Sequence, residues 1–157
     1  MNTDIKRRVF LKGSLAAGSL GVAVGAGLLT PQAVLADWNK EAFHAKEADA
    51  ALKGLLGDSA TTESGDIKIN APEIAENGAV VPVKVDTSLK AESITVLASN
   101  NPVPLVASFM LAEGAKGYAS TRIKMGKTGD VVAVVKADGK LYSAKKAVKV
   151  TIGGCGG

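Results

Sequence analysis

The chain has one cysteine, one histidine, one tryptophan and six aromatic residues in all among 157 residues. A single thiol excludes an internal disulfide. One histidine with no cysteine or acidic partner at ligand spacing argues against a metal centre and against a histidine-dependent triad. His44 therefore reads as a surface or helix-packing residue. Phosphate-cradling glycine loops are also missing, since Gly153-Gly154 follows a strand pattern with no helix behind it. Charge of one sign is scarce too. The formal charge is +4, but Lys6, Arg7, Arg8 and Lys12 against Asp4 supply +3 of it, and from Asp37 onward 15 basic side chains face 14 acidic ones. Near neutrality with so few aromatics argues against nucleic-acid binding. These absences read as a protein that is not an enzyme and holds no cofactor.

What is present begins with an address. Lys6-Arg7-Arg8-Val9-Phe10-Leu11-Lys12 places paired arginines before an apolar pair, and Gly13 to Ala36 carries no charge. That is the layout of an export signal. Five glycines from Gly13 to Gly27 dilute the apolar stretch, as in twin-arginine signals, which mark proteins exported already folded. A permanent anchor would want about 20 strongly apolar residues. Val34-Leu35-Ala36 offers a cleavage site before Asp37, so residues 1–36 are expected to be a signal peptide and the mature protein to be periplasmic, with no membrane contact.

Residues 37–152 are expected to form one domain, large enough for a single core. Trp38, Ala42, Phe43, Ala45, Leu52, Leu55 and Leu56 recur at spacings of three and four among charged residues, which predicts one amphipathic helix ending at Gly57. Beyond Thr62 the period drops to two. Asp66–Asn70, Ala79–Val85, Ser93–Ser99, Val103–Leu111, Gly117–Met125, Val131–Ala137 and Lys140–Ile152 read as seven strands, punctuated by Asn100-Asn101-Pro102, Gly114, Gly126 to Gly129 and the hairpin signal Asp138-Gly139. Seven short strands without helices between them predict an all-β, immunoglobulin-like antiparallel sandwich. Pro82 and Pro104 lack an N–H and belong at an edge or a bulge. Lys145-Lys146 breaks the alternation between Leu141 and Val148, which suggests a bulge in the last strand. Val103 to Leu111, apolar on both faces, reads as a core strand or a partner surface.

The thiol stands apart from all of this, in Gly153-Gly154-Cys155-Gly156-Gly157. Glycine removes crowding and frees the backbone, so Cys155 is expected to be exposed and steerable on a flexible arm. A structural thiol would gain nothing from such placement. In an oxidising compartment it can pair only with another chain or a small sulfur species. A redox thiol would want a resolving cysteine or a helix N-terminus, and neither is in the sequence. A carrier that loads a group on sulfur and presents it in narrow clefts fits the pattern; an exported interaction module with an incidental thiol leaves the glycines unexplained. Ubiquitin-like sulfur carriers also end in Gly-Gly, but they need ATP-dependent activation and place a helix between strands.

The leader, the helix followed by a sandwich, and above all the five arm residues resemble the sulfur-carrier Y subunits of the bacterial thiosulfate-oxidising (Sox) system, the SoxY family. The resemblance implies that Cys155 is the covalent attachment site and that Gly153, Gly154, Gly156 and Gly157 form a swinging arm. It implies a heterodimer with subunit Z. It also implies a haem-containing enzyme that joins thiosulfate to the thiol, a metal-dependent hydrolase that releases sulfate and, in some organisms, a molybdenum enzyme that oxidises the remaining sulfane sulfur.

Overall fold

A computed structural model describes residues 39–151. The leader 1–36 with Arg7 and Arg8, Trp38, Ile152 and the arm 153–157 with Cys155 lie outside the described residues. In chain order the elements are α1 (Lys40–His44), α2 (Ala48–Leu56), β1 (Thr62–Glu63), β2 (Ile67–Asn70), β3 (Ile74–Ala75), β4 (Val81–Thr87), β5 (Ala91–Ala98), β6 (Leu105–Met110), β7 (Tyr118–Ile123), β8 (Gly129–Ala137) and β9 (Lys140–Val150).

Two sheets pack face to face as an all-β, immunoglobulin-like sandwich. The larger runs β1-β9-β8-β5-β6, with β3 joined further along β9, and the smaller runs β2-β4-β7. Each of the seven strand patterns in the sequence became a strand. β1 and β3, two residues each and parallel to β9, have no such signal because two residues cannot show an alternation. The Asp138-Gly139 hairpin is as predicted: φ is 50° and 70° at its two residues, the pair of positive values that a type I′ turn requires.

Two side-chain layers follow from which residues each strand turns where. Val81, Val83 and Val85 of β4, Ala119 and Ile123 of β7, and Ile94, Val96, Val131, Ala133, Val135 and Val148 of the larger sheet fill the space between the sheets. The opposite face of the larger sheet offers Leu97, Leu105, Val134 and Leu141 to Ala42, Ala51 and Leu52 of the helices. The larger sheet is thus buried on both sides. That explains Leu141 and Val148, which have opposite parity because each fills a different layer. No bulge exists at Lys145-Lys146: β8 and β9 pair without a break from Gly129↔Val148 to Ala137↔Lys140. The register shifts fall elsewhere: against β8 the extra residue is Glu92 of β5, between Ala91 and Ser93, and opposite Val96/Leu97 it is Val106 of β6. The second of these moves Leu105 to the helix side, while Phe109, opposite Ile94, stays on the sandwich side.

Pro104 immediately precedes β6, an edge strand, as its missing N–H demands. Pro82 does not lie on an edge strand: β4 is the middle strand of its sheet. It is tolerated because β2 pairs with β4 only from Lys84 onward, leaving Pro82 flanked by β7 alone.

The single amphipathic helix expected after residue 37 is two helices. Ala45 takes ψ 135° and Glu47 is extended, so the chain turns between α1 and α2 although Ala45-Lys46-Glu47 are all good helix formers. A straight helix would separate Ala42 from Leu52 by about 15 Å at 1.5 Å per residue. The turn brings α1 back onto α2, where a Cβ on Gly54 would sit 3.4 Å from that of Ala42. Asn39 fastens the pair, accepting from the Ala42 N–H at 3.0 Å and donating to the Gly54 carbonyl at 2.7 Å. Gly57, at φ 86°, ends α2 as predicted.

Candidate functional site

The candidate site is the place where the last strand delivers the chain toward Cys155. Among the described residues β9 is the longest strand, 11 residues, running from the hairpin at one end of the sandwich to Val150 at the other. Its last residues are fixed on both edges. On one side the Lys149 N–H donates to the Glu73 carbonyl at 2.8 Å and the Thr151 N–H to the Ala75 carbonyl at 3.0 Å, which is the β3 pairing. On the other side the Thr128 hydroxyl accepts from the Val150 N–H at 2.9 Å and donates to the Val150 carbonyl at 3.3 Å. Every backbone N–H from Lys149 to Thr151 therefore has a partner, and the strand is held to the end of the described residues.

The loops around this root are laced to one another. Asn100 donates to the Thr128 carbonyl and Asn101 to the Lys124 carbonyl, both at 2.7 Å, while Asn101 accepts from the Gly126 N–H at 3.0 Å. The Ser99 hydroxyl accepts from the Asp130 N–H at 2.9 Å. Asn100 packs so closely that a Cβ on Gly129 would come within 2.9 Å of its Nδ2. Gly78 closes the ring. Its carbonyl accepts from the Met125 N–H at 2.7 Å, and a Cβ there would collide with the Met125 carbonyl and lie 2.7 Å from Val150 Cγ1. Sequence reasoning took Asn100-Asn101-Pro102 and Gly126 to Gly129 as turns and missed their joint role as a collar. The signal was the concentration of asparagine, glycine and threonine in two loops that a sandwich brings to one end.

Around the root Lys145 and Lys149 are exposed and Lys146 is half-buried. A shallow depression of about 580 Å³ lies beside it, lined by Glu73, Thr128, Lys146, Ala147, Val148 and Lys149. His44 is exposed, its Nδ1 2.7 Å from the Lys40 carbonyl, and among the described residues no group of three or more histidine, cysteine or acidic side chains is placed to hold a metal. Among the described residues no helix is long and apolar enough to cross a membrane. At the hairpin end, Asp58 has its carboxyl held below the usual carboxylate range, chiefly by the N–H groups of Ala60 and Ser59, against an opposing effect of desolvation and with a lesser contribution from nearby Lys53.

The fold and its anchored last strand define a class: an immunoglobulin-like sandwich that carries a cysteine in a glycine segment just past a rigid root. Within that class the chain belongs to the SoxY family, whose description is "Sulfur oxidation protein SoxY" and whose sequence model matches residues 52–155, reaching through Cys155. It is similar to the sulfur carrier protein SoxY from Chlorobium limicola f thiosulfatophilum. The two are 47% identical over 68% of this chain and 97% of that one, with a TM-score of 0.62. The superoxide reductase (neelaredoxin) from Ignicoccus hospitalis is 20% identical, over 54% of this chain and 80% of its own, with a TM-score of 0.50, and shares the fold alone. No curated protein gives a significant sequence match. The family is one of sulfur carriers in sulfur oxidation.

Proposed function

We propose that this protein is a periplasmic carrier that holds thiosulfate-derived sulfur covalently on Cys155 and presents it to enzymes in turn. The observation that carries the reading is the family match extending through Cys155, four residues beyond the last anchored residue, Thr151. Four residues give a reach of about 13 Å at roughly 3.3 Å each. A fixed root with a short glycine arm sets a small search volume for the sulfur and leaves its neighbours narrow enough for a cleft. Residues 1–36 with Arg7 and Arg8 direct folded export, and subunit Z is the partner of the heterodimer.

The chemistry falls to partner enzymes. A haem enzyme joins the Cys155 thiol to the outer sulfur of thiosulfate; an S–S bond forms, one proton leaves, and two electrons pass to the haem enzyme. A metal-dependent hydrolase then adds water across the terminal S–S bond, releasing sulfate and leaving a persulfide on Cys155. A molybdenum dehydrogenase oxidises that sulfane sulfur where it is present. Intact mass spectrometry of the native exported protein tests the reading: thiosulfonate or persulfide increments on Cys155 are expected, and a bare thiol throughout thiosulfate-dependent growth would overturn it.

A further inference from the structure

The outer face of the smaller sheet carries more cations than acids, unlike the helices. On the helices and the turn between them Lys40, Lys46 and Lys53 are matched by Glu41, Glu47 and Asp49. On β2-β4-β7 the outward residues include Lys68, Lys84, Arg122 and, where the alternation continues past β7, Lys124; all four are exposed, and the acids among them are Asp86 and, just before β2, Asp66. Register places them on a diagonal. Arg122 is opposite Pro82, Lys84 lies between Asn70 and Ser120, and Lys68 is opposite Asp86, while Lys124 continues β7 beyond Arg122. Six residues of strand separate the two ends, so the stripe is about 20 Å long at roughly 3.4 Å per residue. None of the four cations has a carboxylate within salt-bridge distance among the described residues.

The stripe starts beside the described end of β9. Lys124 gives its carbonyl to Asn101 of the collar, and the next residue, Met125, is bonded to Gly78 against Val150. We propose that this cationic face is the docking surface for the acidic face of a protein that acts on the arm, so that electrostatic encounter leaves the arm at that protein's entrance. The proposal rests on the carrier reading of Cys155.

Its occupant follows from what the face lacks. The cations lie on a flat pleated surface and line none of the depressions at the root or the hairpin end, so nothing there encloses a small oxyanion. Pro82, exposed Tyr118 and, just before β4, exposed Val80 are the apolar outward residues, too few to insert in a bilayer. No run of aromatics is present to stack bases. A broad stripe of unpaired cations with a polar surround matches an acidic protein face, where complementary charge raises the association rate and fixes orientation.

The test separates docking from loading. The carrier complex is prepared with intact Cys155 and as Cys155→Ser, each with and without Lys84→Glu, Arg122→Glu and Lys124→Glu. Purified thiosulfate-conjugating enzyme and sulfate-releasing hydrolase are the probes. Association of the Cys155→Ser complex with either enzyme, which needs no sulfur chemistry, should slow tenfold or more on charge reversal at low salt. The wild-type face should lose most of its advantage as ionic strength rises from about 0.01 to 0.15 M and the screening length falls from roughly 30 to 8 Å. Equal rates and equal salt dependence with both enzymes would overturn the proposal. So would loss of the subunit Z heterodimer on charge reversal, or binding of the unreversed face to anionic phosphatidylglycerol vesicles with enzyme association unchanged. If the triple reversal does not fold, Lys84→Gln, Arg122→Gln and Lys124→Gln carry the same comparison. Failure of the carrier reading shows separately, as absence of any mass adduct on intact Cys155.

Discussion

Thr128 holds Val150 by both of its backbone groups, with one hydroxyl accepting from the N–H and donating to the carbonyl. A β-hydroxyl on the β7–β8 connection stands in for the missing strand neighbour at the last step of β9. Because Thr128 is exposed, water can replace part of what it supplies. Thr128→Val, close in shape, should cost about 0.5–1.5 kcal/mol. Equilibrium unfolding checks the total, and amide exchange checks the location: the Val150 N–H should exchange faster while Val134, in the helix-side layer, does not.

Gly78 makes a sharper case. A Cβ there meets a backbone carbonyl, that of Met125, and no rotamer change can move it. Gly78→Ala should destabilise by roughly 1–3 kcal/mol through forced backbone movement. Gly65→Ala is the control, since a Cβ at Gly65 meets nothing within 4 Å. Equal unfolding midpoints for the two variants would show that the collar yields freely.

The sandwich was legible because β-strands buried on one face write their alternation plainly, as Val81, Val83 and Val85 do between Pro82 and Lys84. Apart from Pro82 on the middle strand of the smaller sheet, the strand readings that failed lie on the larger sheet, where both faces are buried. There Leu141 and Val148 break parity without a bulge, and the real irregularity opposite Val96/Leu97 hides in the apolar run Leu105-Val106-Ala107 of β6. The turn between α1 and α2 was hidden for another reason: tertiary packing of Ala42 and Gly54 overrode local propensity. At the site, the arm's composition was plain and its anchor was not. Hydrogen bonds such as Asn101 to Lys124 span 23 residues and have no local signature.

Strand β6 separates two readings of its apolar residues. Phe109 is half-buried against the sandwich core and opposite Ile94, whereas Met110 is 80% exposed. Phe109→Asp removes apolar contacts and brings a charge to the core margin, and should cost about 2–4 kcal/mol. Met110→Lys should leave stability within roughly 0.5 kcal/mol. Chemical denaturation of both variants decides this, and a stable Phe109→Asp protein would remove Phe109 from the core.

Replacing Arg7 and Arg8 with lysine should strand unprocessed precursor in the cytoplasm if the pair directs folded export. Subunit Z, expected to travel with this chain, should be stranded with it. Fractionation and immunoblotting read both outcomes, and normal export of the Lys-Lys variant would mark the leader as an ordinary secretory signal.

The arm carries the last prediction. Cys155→Ser should leave unfolding and partner binding unchanged, because a thiol flanked by glycines contributes almost no apolar burial, yet it should abolish every sulfur adduct and thiosulfate-dependent respiration. Gly154→Val with Gly156→Val tests the separate requirement for a slim arm, since β-branched residues stiffen the backbone and widen it beside the sulfur. The valine arm should keep a thiol that reacts with small alkylating reagents at close to the normal rate, while enzymatic loading falls. The ratio of these two rates is the decisive measurement, because a merely structural disturbance would change both. Normal loading through a valine arm would mean that the glycines have no part in threading, and the swinging-arm mechanism would fail even with sulfur still carried on Cys155.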